Sequence, residues 1–195
     1  MKNLFVLLAS YFMIVASVNA QSKPGTAKHY IFPQVALLNG DHSVSGQVQL
    51  TAGIQKKAWM FGFGTAIDYY KIRTVPVFVD LRYAFGKSSN YFSYVNLGTN
   101  IVWALESQYT AHYVIGIPSK DKFNNGLYTD IGIGYAFRGE KKTRLLISIG
   151  YSIKKISSNY QEAVYREFPP YIIEYRDRKL DYTLNRLVLR LGVRL

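Results

Sequence analysis

The C-terminal segment of the chain, residues 181–195, alternates with a period of two residues. Every second position from 187 onward is aliphatic: Leu187, Leu189, Leu191, Val193 and Leu195. The positions on the other face carry arginines: Arg186, Arg190 and Arg194. Because successive side chains of a β-strand point to opposite faces, the segment predicts a strand with one apolar and one cationic face. In a water-soluble sheet the apolar face meets a core, whereas in a membrane barrel it meets lipid and the charged face lines the lumen.

Seven earlier segments show the same alternation and predict strands. They are residues 30–38, 46–55, 58–70, 76–85, 91–103, 126–137 and 143–153. Pro33 is a misfit in the first segment unless it lies near the strand start or at a bulge. The apolar faces of the other segments hold no charged residue, although 18% of the chain is charged. Because an arginine or lysine facing the bilayer midplane costs about 2–4 kcal/mol, we predict an all-β fold, an eight-stranded antiparallel up-and-down transmembrane β-barrel with a polar filled lumen.

The connections between these segments differ in length from one end of the strands to the other. Those after strands two, four and six are tight, those spanning 105–125 and 154–180 are long, and those after strands one and three are intermediate. With both chain ends on the inner side, every tight turn is expected on that side and every long loop on the outer side. Aromatic residues also gather at the strand ends and predict two interfacial belts. They are Trp59, Tyr83, Phe85, Tyr91, Tyr135 and Phe137 beside the short turns, and Tyr69 and Trp103 opposite.

The N-terminus predicts export. Lys2 precedes an apolar run over residues 4–15, and the small-residue site Val18-Asn19-Ala20 follows. This pattern is typical of a secretory signal peptide, so we expect residues 1–20 to be cleaved and 21–195 to form the barrel domain in the cell outer membrane. A net charge of +12 is compatible with nucleic acid or an anionic membrane surface, and export disfavours nucleic acid.

The inward faces of the predicted strands carry charges of both signs. They are Asp68, Asp80, Arg82, Asp130, Arg186, Arg190 and Arg194. An eight-stranded barrel has an interior just wide enough for side chains, and a lone buried charge is costly, so we expect these groups to pair in a structural ion network. The alternative interpretation is a narrow anion-selective path or a proton-coupled site.

Patterns typical of catalysis are missing from the sequence. His29, His42 and His112 form no HExxH pattern and have no metal-ligand spacing, and no Gly-x-Ser-x-Gly elbow occurs. We therefore expect no enzyme activity, cofactor or metal, although an enzyme that modifies lipid A remains a less favoured alternative.

The long outer connections are the best candidates for binding, because loops held by a rigid scaffold often carry function. The connection 154–180 mixes aromatic residues with arginines, which suits a protein or glycan surface and also the phosphates of lipopolysaccharide. The candidate binding residues are Tyr165, Arg166, Phe168, Tyr171 and Arg176.

Taken together, the signal peptide, the eight strands and the final alternating strand resemble the small outer-membrane β-barrel family of Gram-negative bacteria. The closest patterns are the OmpA-type transmembrane domain and the related Bacteroidetes barrel domain. The alternation from Leu187 to Leu195 is similar to the signal read by the barrel-assembly machinery, although that signal usually ends on phenylalanine. The chain lacks an appended peptidoglycan-binding domain, so the tethering role of OmpA-type proteins does not carry over.

The function that we expect is a non-enzymatic integral outer-membrane protein with a structural or binding role through its outer loops. Its expected partners are outer-membrane lipids and lipopolysaccharide, the barrel-assembly machinery and an envelope protein. A narrow porin-like channel or transporter is the alternative. A soluble, secreted barrel of lipocalin type requires the opposite sidedness, with the apolar residues inside.

Overall fold

The computed structural model describes residues 27–41, 43–86, 88–105, 111–114, 117–120, 122–137, 143–165 and 173–195. The backbone alone is described for 111–114, 117–120, 161–165 and 173–175. The predicted signal peptide and the predicted turn at 139–142 lie outside this range. Within it, no helix is long and apolar enough to span a membrane.

Eleven strands make up the described secondary structure. In chain order they are β1 (Lys28–Gly40), β2 (Ser43–Lys56), β3 (Trp59–Asp68), β4 (Thr74–Phe85), β5 (Tyr91–Val102), β6 (Ala111–Val114), β7 (Ile117–Lys120), β8 (Lys122–Asn124), β9 (Gly126–Ala136), β10 (Arg144–Tyr165) and β11 (Ile173–Arg194). Eight of them, all except β6, β7 and β8, pair antiparallel with their neighbours in chain order, and β11 pairs with β1. The predicted closed, eight-stranded antiparallel barrel is confirmed.

The stagger of the strands sets the width of the barrel. A row of paired residues that leaves β2 at Gly53 passes Asp80, Asp130 and Arg186 and returns to β2 at Ser43. The row is therefore displaced by ten residues, from position 53 to position 43. Such a shear accompanies a strand tilt of about 35–45°, and eight strands enclose a space that side chains can fill.

The two faces of the wall have the predicted sidedness. On β11, Leu187 and Leu189 expose 55% and 48% of their surface, whereas Val188 and Arg190 between them expose 1% and 2%. The same alternation runs along β3, where Phe61 is exposed. The apolar side chains therefore point outward and the ionic ones inward. The lipocalin-type alternative is wrong, because it needs the reverse arrangement.

Pro33 lies inside β1 but on the side where β1 meets β11. Ile31 and Leu195 exchange both backbone hydrogen bonds, at 3.4 and 3.0 Å, and the continuous ladder with β11 begins at Gln34. Because alternate residues direct their backbone groups to the same side, Pro33 also faces β11. The missing N–H therefore interrupts the closing seam near its inner end, while pairing with Leu50 of β2 continues.

The predicted distribution of connections is wrong at one place. The link between β1 and β2 is formed by positions 41 and 42 alone, yet it lies at the end of the long connections. Asn39 and Gly40, which the sequence predicts to be part of a turn, lie in β1 and pair with Val44 and Ser43 of β2, so the strands run further than predicted and leave a short link. Tyr70 contacts this link: its hydroxyl donates a hydrogen bond to the backbone carbonyl of Asp41 at 3.3 Å.

The long connection predicted at 154–180 is largely β-structure. The β10–β11 pairing continues without a break from Arg144↔Arg194 to Tyr165↔Ile173. The part above the barrel, residues 155–165 of β10 and 173–184 of β11, is called the outer ribbon below. The predicted extension of the two strands beyond the barrel is therefore much longer than the sequence suggests.

Aromatic rings form a continuous row around part of the inner end. The ring pairs are Trp59–Tyr83, Tyr83–Phe85, Phe85–Tyr91, Tyr91–Tyr135 and Tyr135–Phe137, with centroids 4.7–6.5 Å apart. At the opposite end Tyr69 and Trp103 are exposed, and the Arg73 guanidinium lies 3.8 Å from the Trp103 ring centroid. The row follows β3, β4, β5 and β9, so it covers one half of the circumference.

The sidedness predicts different responses from two exposed leucines of the same strand. Leu189→Arg places a charge in the middle of the apolar wall and should cost about 2–4 kcal/mol in lipid vesicles. Leu180→Arg, on the outer ribbon, should change stability by about 0.5 kcal/mol or less. Urea unfolding in vesicles measures both, and equal losses would contradict an outward face that meets hydrocarbon.

Candidate functional site

Three clusters of ionic side chains lie one below another inside the barrel. The outer cluster, near the long connections, is centred on Asp68, the middle cluster on Asp130, and the inner cluster, near the short turns, on Asp80. All three carboxylates are fully buried. On β11, Arg186 reaches the outer cluster and Arg190 the middle one, at positions four residues apart on the same inward face.

The outer cluster joins β3, β10 and β11. Arg186 forms an ion pair with Asp68 through Nη1, and its Nη2 donates to Ser152 Oγ at 2.8 Å. Asp68 also accepts a hydrogen bond from the backbone N–H of Tyr70 at 2.8 Å. Because all these groups are buried, the guanidinium and the carboxylate each offset the cost of removing the other from water.

Lys154 completes the outer cluster and holds the β3–β4 turn over the lumen. Its Nζ lies 3.4 Å from Asp68 Oδ1 and donates to the backbone carbonyls of Tyr70 at 3.0 Å and Ile72 at 2.7 Å. Tyr70 is buried, with the Arg186 guanidinium 5.5 Å from its ring centroid. The turn is therefore fixed as a cap on the outer mouth by a buried cation.

The middle cluster surrounds Asp130. Arg190 forms an ion pair with this carboxylate, and the hydroxyls of Tyr94 and Tyr128 donate to it at 3.3 and 3.2 Å. Gln47 of β2 donates to the Tyr128 hydroxyl at 3.4 Å. A carboxylate with one cation and two hydroxyl donors is well satisfied, and the cluster ties together four strands across the lumen.

The inner cluster has a different balance. Arg82 donates to Asp80 through Nε at 2.9 and 3.0 Å, and the Tyr30 hydroxyl donates to the same carboxylate at 3.3 Å. Arg194, which the sequence places on the same face, bonds instead to the amide oxygen of Gln55. Each carboxylate therefore has an arginine, and Arg194 is the arginine of the predicted set that lies outside the carboxylate pairs.

Glycines make room for the large side chains of these clusters. A Cβ atom at Gly62 would lie 2.6 Å from the Tyr30 hydroxyl, and one at Gly132 would lie 2.6 Å from the Tyr94 hydroxyl. Both distances are too short for a real contact. The interior is consequently filled by tyrosine, arginine and phenylalanine side chains packed against bare backbone.

The sequence pattern missed Lys154, Tyr94 and Tyr128 as members of the clusters. Lys154 falls in the connection that the sequence predicts at 154–180. The alternation of buried and exposed side chains nevertheless continues beyond Ile153, since Ser152, Lys154, Ile156 and Ser158 are all buried. That continued alternation is the signal that identifies Lys154 as an inward residue. Tyr94 and Tyr128 face inward in the predicted strands. The sequence does not indicate, however, which carboxylate accepts a hydrogen bond from each tyrosine hydroxyl.

The candidate binding residues of the outer connection are described only in part. Tyr165 ends β10 opposite Ile173, and Arg176 is exposed on β11. Arg166, Phe168 and Tyr171 lie outside the described residues. Residues 176–183 of β11 are all exposed, whereas Ile156 and Ser158 of β10 are buried and residues 157–159 also pair with β8, so the solvent-facing part of the outer ribbon is its β11 strand. Across the described chain, no three His, Cys, Asp or Glu side chains are close enough to hold a metal ion.

Comparison with known proteins gives similarity of shape at low identity. No protein-family model matches the sequence. No curated protein matches it. The chain is similar to the crystal structure of Neisserial surface protein A, NspA (14% identity, TM-score 0.48, covering 87% of this chain and 98% of that one). It is also similar to the outer membrane protein OprG from Pseudomonas aeruginosa (11%, 0.49, 86% and 95%). A third similar structure is the outer membrane protein AlkL (10%, 0.47, 90% and 92%).

Removing the carboxylate of the middle cluster should be costly. Asp130→Asn keeps the shape of the side chain but leaves the Arg190 charge buried without its counter-ion, so we expect a loss of about 3–5 kcal/mol in urea unfolding. Asp181→Asn is the matched control, because Asp181 and its partner Lys179 are exposed and such a pair contributes about 0–1 kcal/mol. Equal losses from the two variants would contradict the role of the middle cluster.

Lys154→Met should release the β3–β4 turn. Charge-assisted hydrogen bonds contribute about 1.5–3 kcal/mol each, so amide exchange at residues 70–73 should accelerate at least about tenfold. Lys155→Met, on the exposed neighbouring position, should leave that exchange unchanged. Unchanged protection in Lys154→Met would show that the turn is held in some other way.

Proposed function

We propose that this protein is an exported, non-enzymatic integral protein of the outer membrane, with a closed barrel that presents the outer ribbon for binding. The observation that carries the proposal is the sidedness of the wall. Aliphatic and aromatic side chains are exposed all round the barrel, while Asp68, Asp80 and Asp130 are fully buried inside. Such an apolar outer face fits a hydrocarbon surrounding. A closed barrel can also lie in hydrocarbon because all its backbone N–H and C=O groups are hydrogen-bonded between neighbouring strands.

The contents of the lumen favour a structural role over conduction. Three ion-paired clusters cross the interior, and the β3–β4 turn caps the outer mouth through Lys154. Ions that crossed this space would have to break buried pairs, each of which is costly to open. The clusters therefore support a barrel whose interior stabilises the wall.

A narrow channel is the second candidate, and one observation favours it. Among the described residues, both side-chain amide atoms of Asn96 and the amide oxygens of Gln49 and Asn100 are buried without a protein partner. Buried polar groups of this kind usually bind water. A hydrated seam beside the clusters is compatible with slow passage of water or small ions.

The outer ribbon supports the proposed binding role. Twelve residues of β10 follow Ile153, which corresponds to about 40 Å of strand. The exposed stretch of β11 holds Arg176, Arg178 and Lys179 together with Asp177 and Asp181. Cationic side chains on a rigid two-stranded element fit the phosphates of lipopolysaccharide, or an acidic glycan or envelope protein at the same level. On the inner side, the final alternating strand fits recognition by the barrel-assembly machinery.

Shortening the ribbon tests its role. A variant that joins Ile156 to Tyr182 through Asn-Gly removes the ribbon in register, because Ser157 and Asp181 are paired residues. It should fold with the same heat-dependent gel mobility and bind lipopolysaccharide at least about tenfold more weakly, since the cationic ribbon residues are lost. Undiminished binding would contradict a role of the ribbon.

The membrane assignment and the closed lumen have their own tests on the full chain. The protein should sediment with outer-membrane density and require detergent for extraction, and recovery in the periplasm would contradict the proposal. In planar bilayers we expect conductance far below that of a wide porin, because the clusters fill the bore. A porin-sized conductance would contradict the filled lumen.

A further inference from the structure

Two arginines face each other directly at the inner end of the barrel. Arg144 of β10 and Arg194 of β11 are paired residues in the antiparallel ladder. Both occupy inward positions, in step with Leu146 and Ser148 on β10 and with Arg190 on β11. Like charges directly opposite on neighbouring strands are destabilising. The opposed arginines therefore do not stabilise the sheet.

A third guanidinium approaches the same place from β4. Arg82 is buried, and its guanidinium carbon lies 4.6 Å from the centroid of the Phe32 ring. The Arg194 guanidinium lies against the same ring, at 5.9 Å. Arg144 and Arg82 both lie close enough to Arg194 to repel it electrostatically. Three cations are therefore gathered around the inner mouth.

Among the residues that the structure describes, the negative charge at this end is too small to balance them. In the described part of the barrel, Asp80 is the carboxylate of the inner cluster, and its bonds go to Arg82 and Tyr30. No carboxylate of the described residues lies within ion-pair distance of Arg144 or Arg194. Arg194 has the neutral Gln55 amide as its hydrogen-bond partner. The middle cluster is balanced, with one arginine on one carboxylate, and the one extra cation of the outer cluster, Lys154, donates to two backbone carbonyls as well as facing Asp68.

We propose that the inner mouth is a binding site for a phosphate-type oxyanion, held between Arg144 and Arg194 with Arg82 behind them. Guanidinium groups bind phosphate oxygens through two parallel hydrogen bonds, and the directly opposed pair offers two such groups. An anion bound between the two guanidinium groups is attracted by both and so offsets their mutual repulsion. Because the site opens toward the short-turn end, the anion is either free phosphate or the phosphate of a lipid headgroup that reaches the rim.

The site can be tested with inorganic phosphate on the full chain refolded in dodecyl maltoside, a detergent without phosphate. Phosphate replaces chloride at constant ionic strength, and the midpoint of urea unfolding is followed by tryptophan fluorescence. A ligand that binds the folded state alone raises this midpoint with concentration. We expect a rise in the wild type and, by calorimetry, a Kd that Arg144→Gln and Arg194→Gln each weaken at least about tenfold, a loss of roughly 1.4 kcal/mol.

The sign of the effect without phosphate separates binding from a merely structural role. Arg144→Gln removes a repulsion, so in chloride alone this variant should be at least as stable as the wild type while its response to phosphate is lost. Arg144→Lys keeps the positive charge but lacks the planar guanidinium that donates two parallel hydrogen bonds, so this variant should bind phosphate with intermediate affinity. Lys122→Gln, at an exposed position of β8 near the opposite end of the barrel, changes the net charge by the same amount and should respond to phosphate like the wild type.

Nanodiscs distinguish the two sources of the anion. If a lipid headgroup occupies the site, discs containing phosphatidylglycerol should suppress the response to inorganic phosphate. Discs of phosphatidylcholine alone should suppress it less, because the choline of that headgroup neutralises its own phosphate. If free phosphate is the ligand, both discs should preserve it. The proposal is overturned if phosphate has no effect on the wild type in detergent and in both discs, or if Arg144→Gln and Arg194→Gln respond as the wild type does.

Discussion

The pairing of buried carboxylates with cations from other strands is the interaction on which the interior depends. Asp68, Asp130 and Asp80 are each fully buried, and each meets an arginine. A carboxylate removed from water without a cation costs on the order of several kcal/mol, a large part of a domain's whole stability, so the strands that carry the partners must come together. Two of the three pairs join distant parts of the chain, β3 to β11 and β9 to β11. The first of them spans the seam between β1 and β11 and therefore opposes opening of the barrel there.

That seam is also where the backbone is weakest. Pro33 interrupts the ladder between β1 and β11, and the continuous pairing covers Gln34 to Gly40. Arg186 and Arg190 extend from β11 across the lumen to β3 and β9. The Arg186–Asp68 pair thus supplies a cross-link that bypasses the seam, while the exposed leucines of β11 face outward. One strand serves both surfaces because its side chains alternate.

Much of the fold follows from the sequence because the period of two residues is a local property. The strand positions and the face of each residue can be read from the chain once one face is known to be free of charge. The pairing of particular ions cannot, because it depends on the stagger of ten residues around the barrel, which no single strand encodes. The inclusion of Lys154 in the outer cluster shows the same limit. It arises from how Tyr70 and its turn fold over the mouth, a contact between segments far apart in sequence.

The central claim, that the leucine face of β11 meets hydrocarbon and the arginine face meets the lumen, can be measured directly because the chain has no cysteine. Single cysteines introduced in turn at positions 187–192 and spin-labelled in lipid vesicles would report collisions with oxygen, which concentrates in the bilayer. We predict high collision rates at 187, 189 and 191 and low rates at 188, 190 and 192. Uniform rates, or rates with the opposite alternation, would contradict the account.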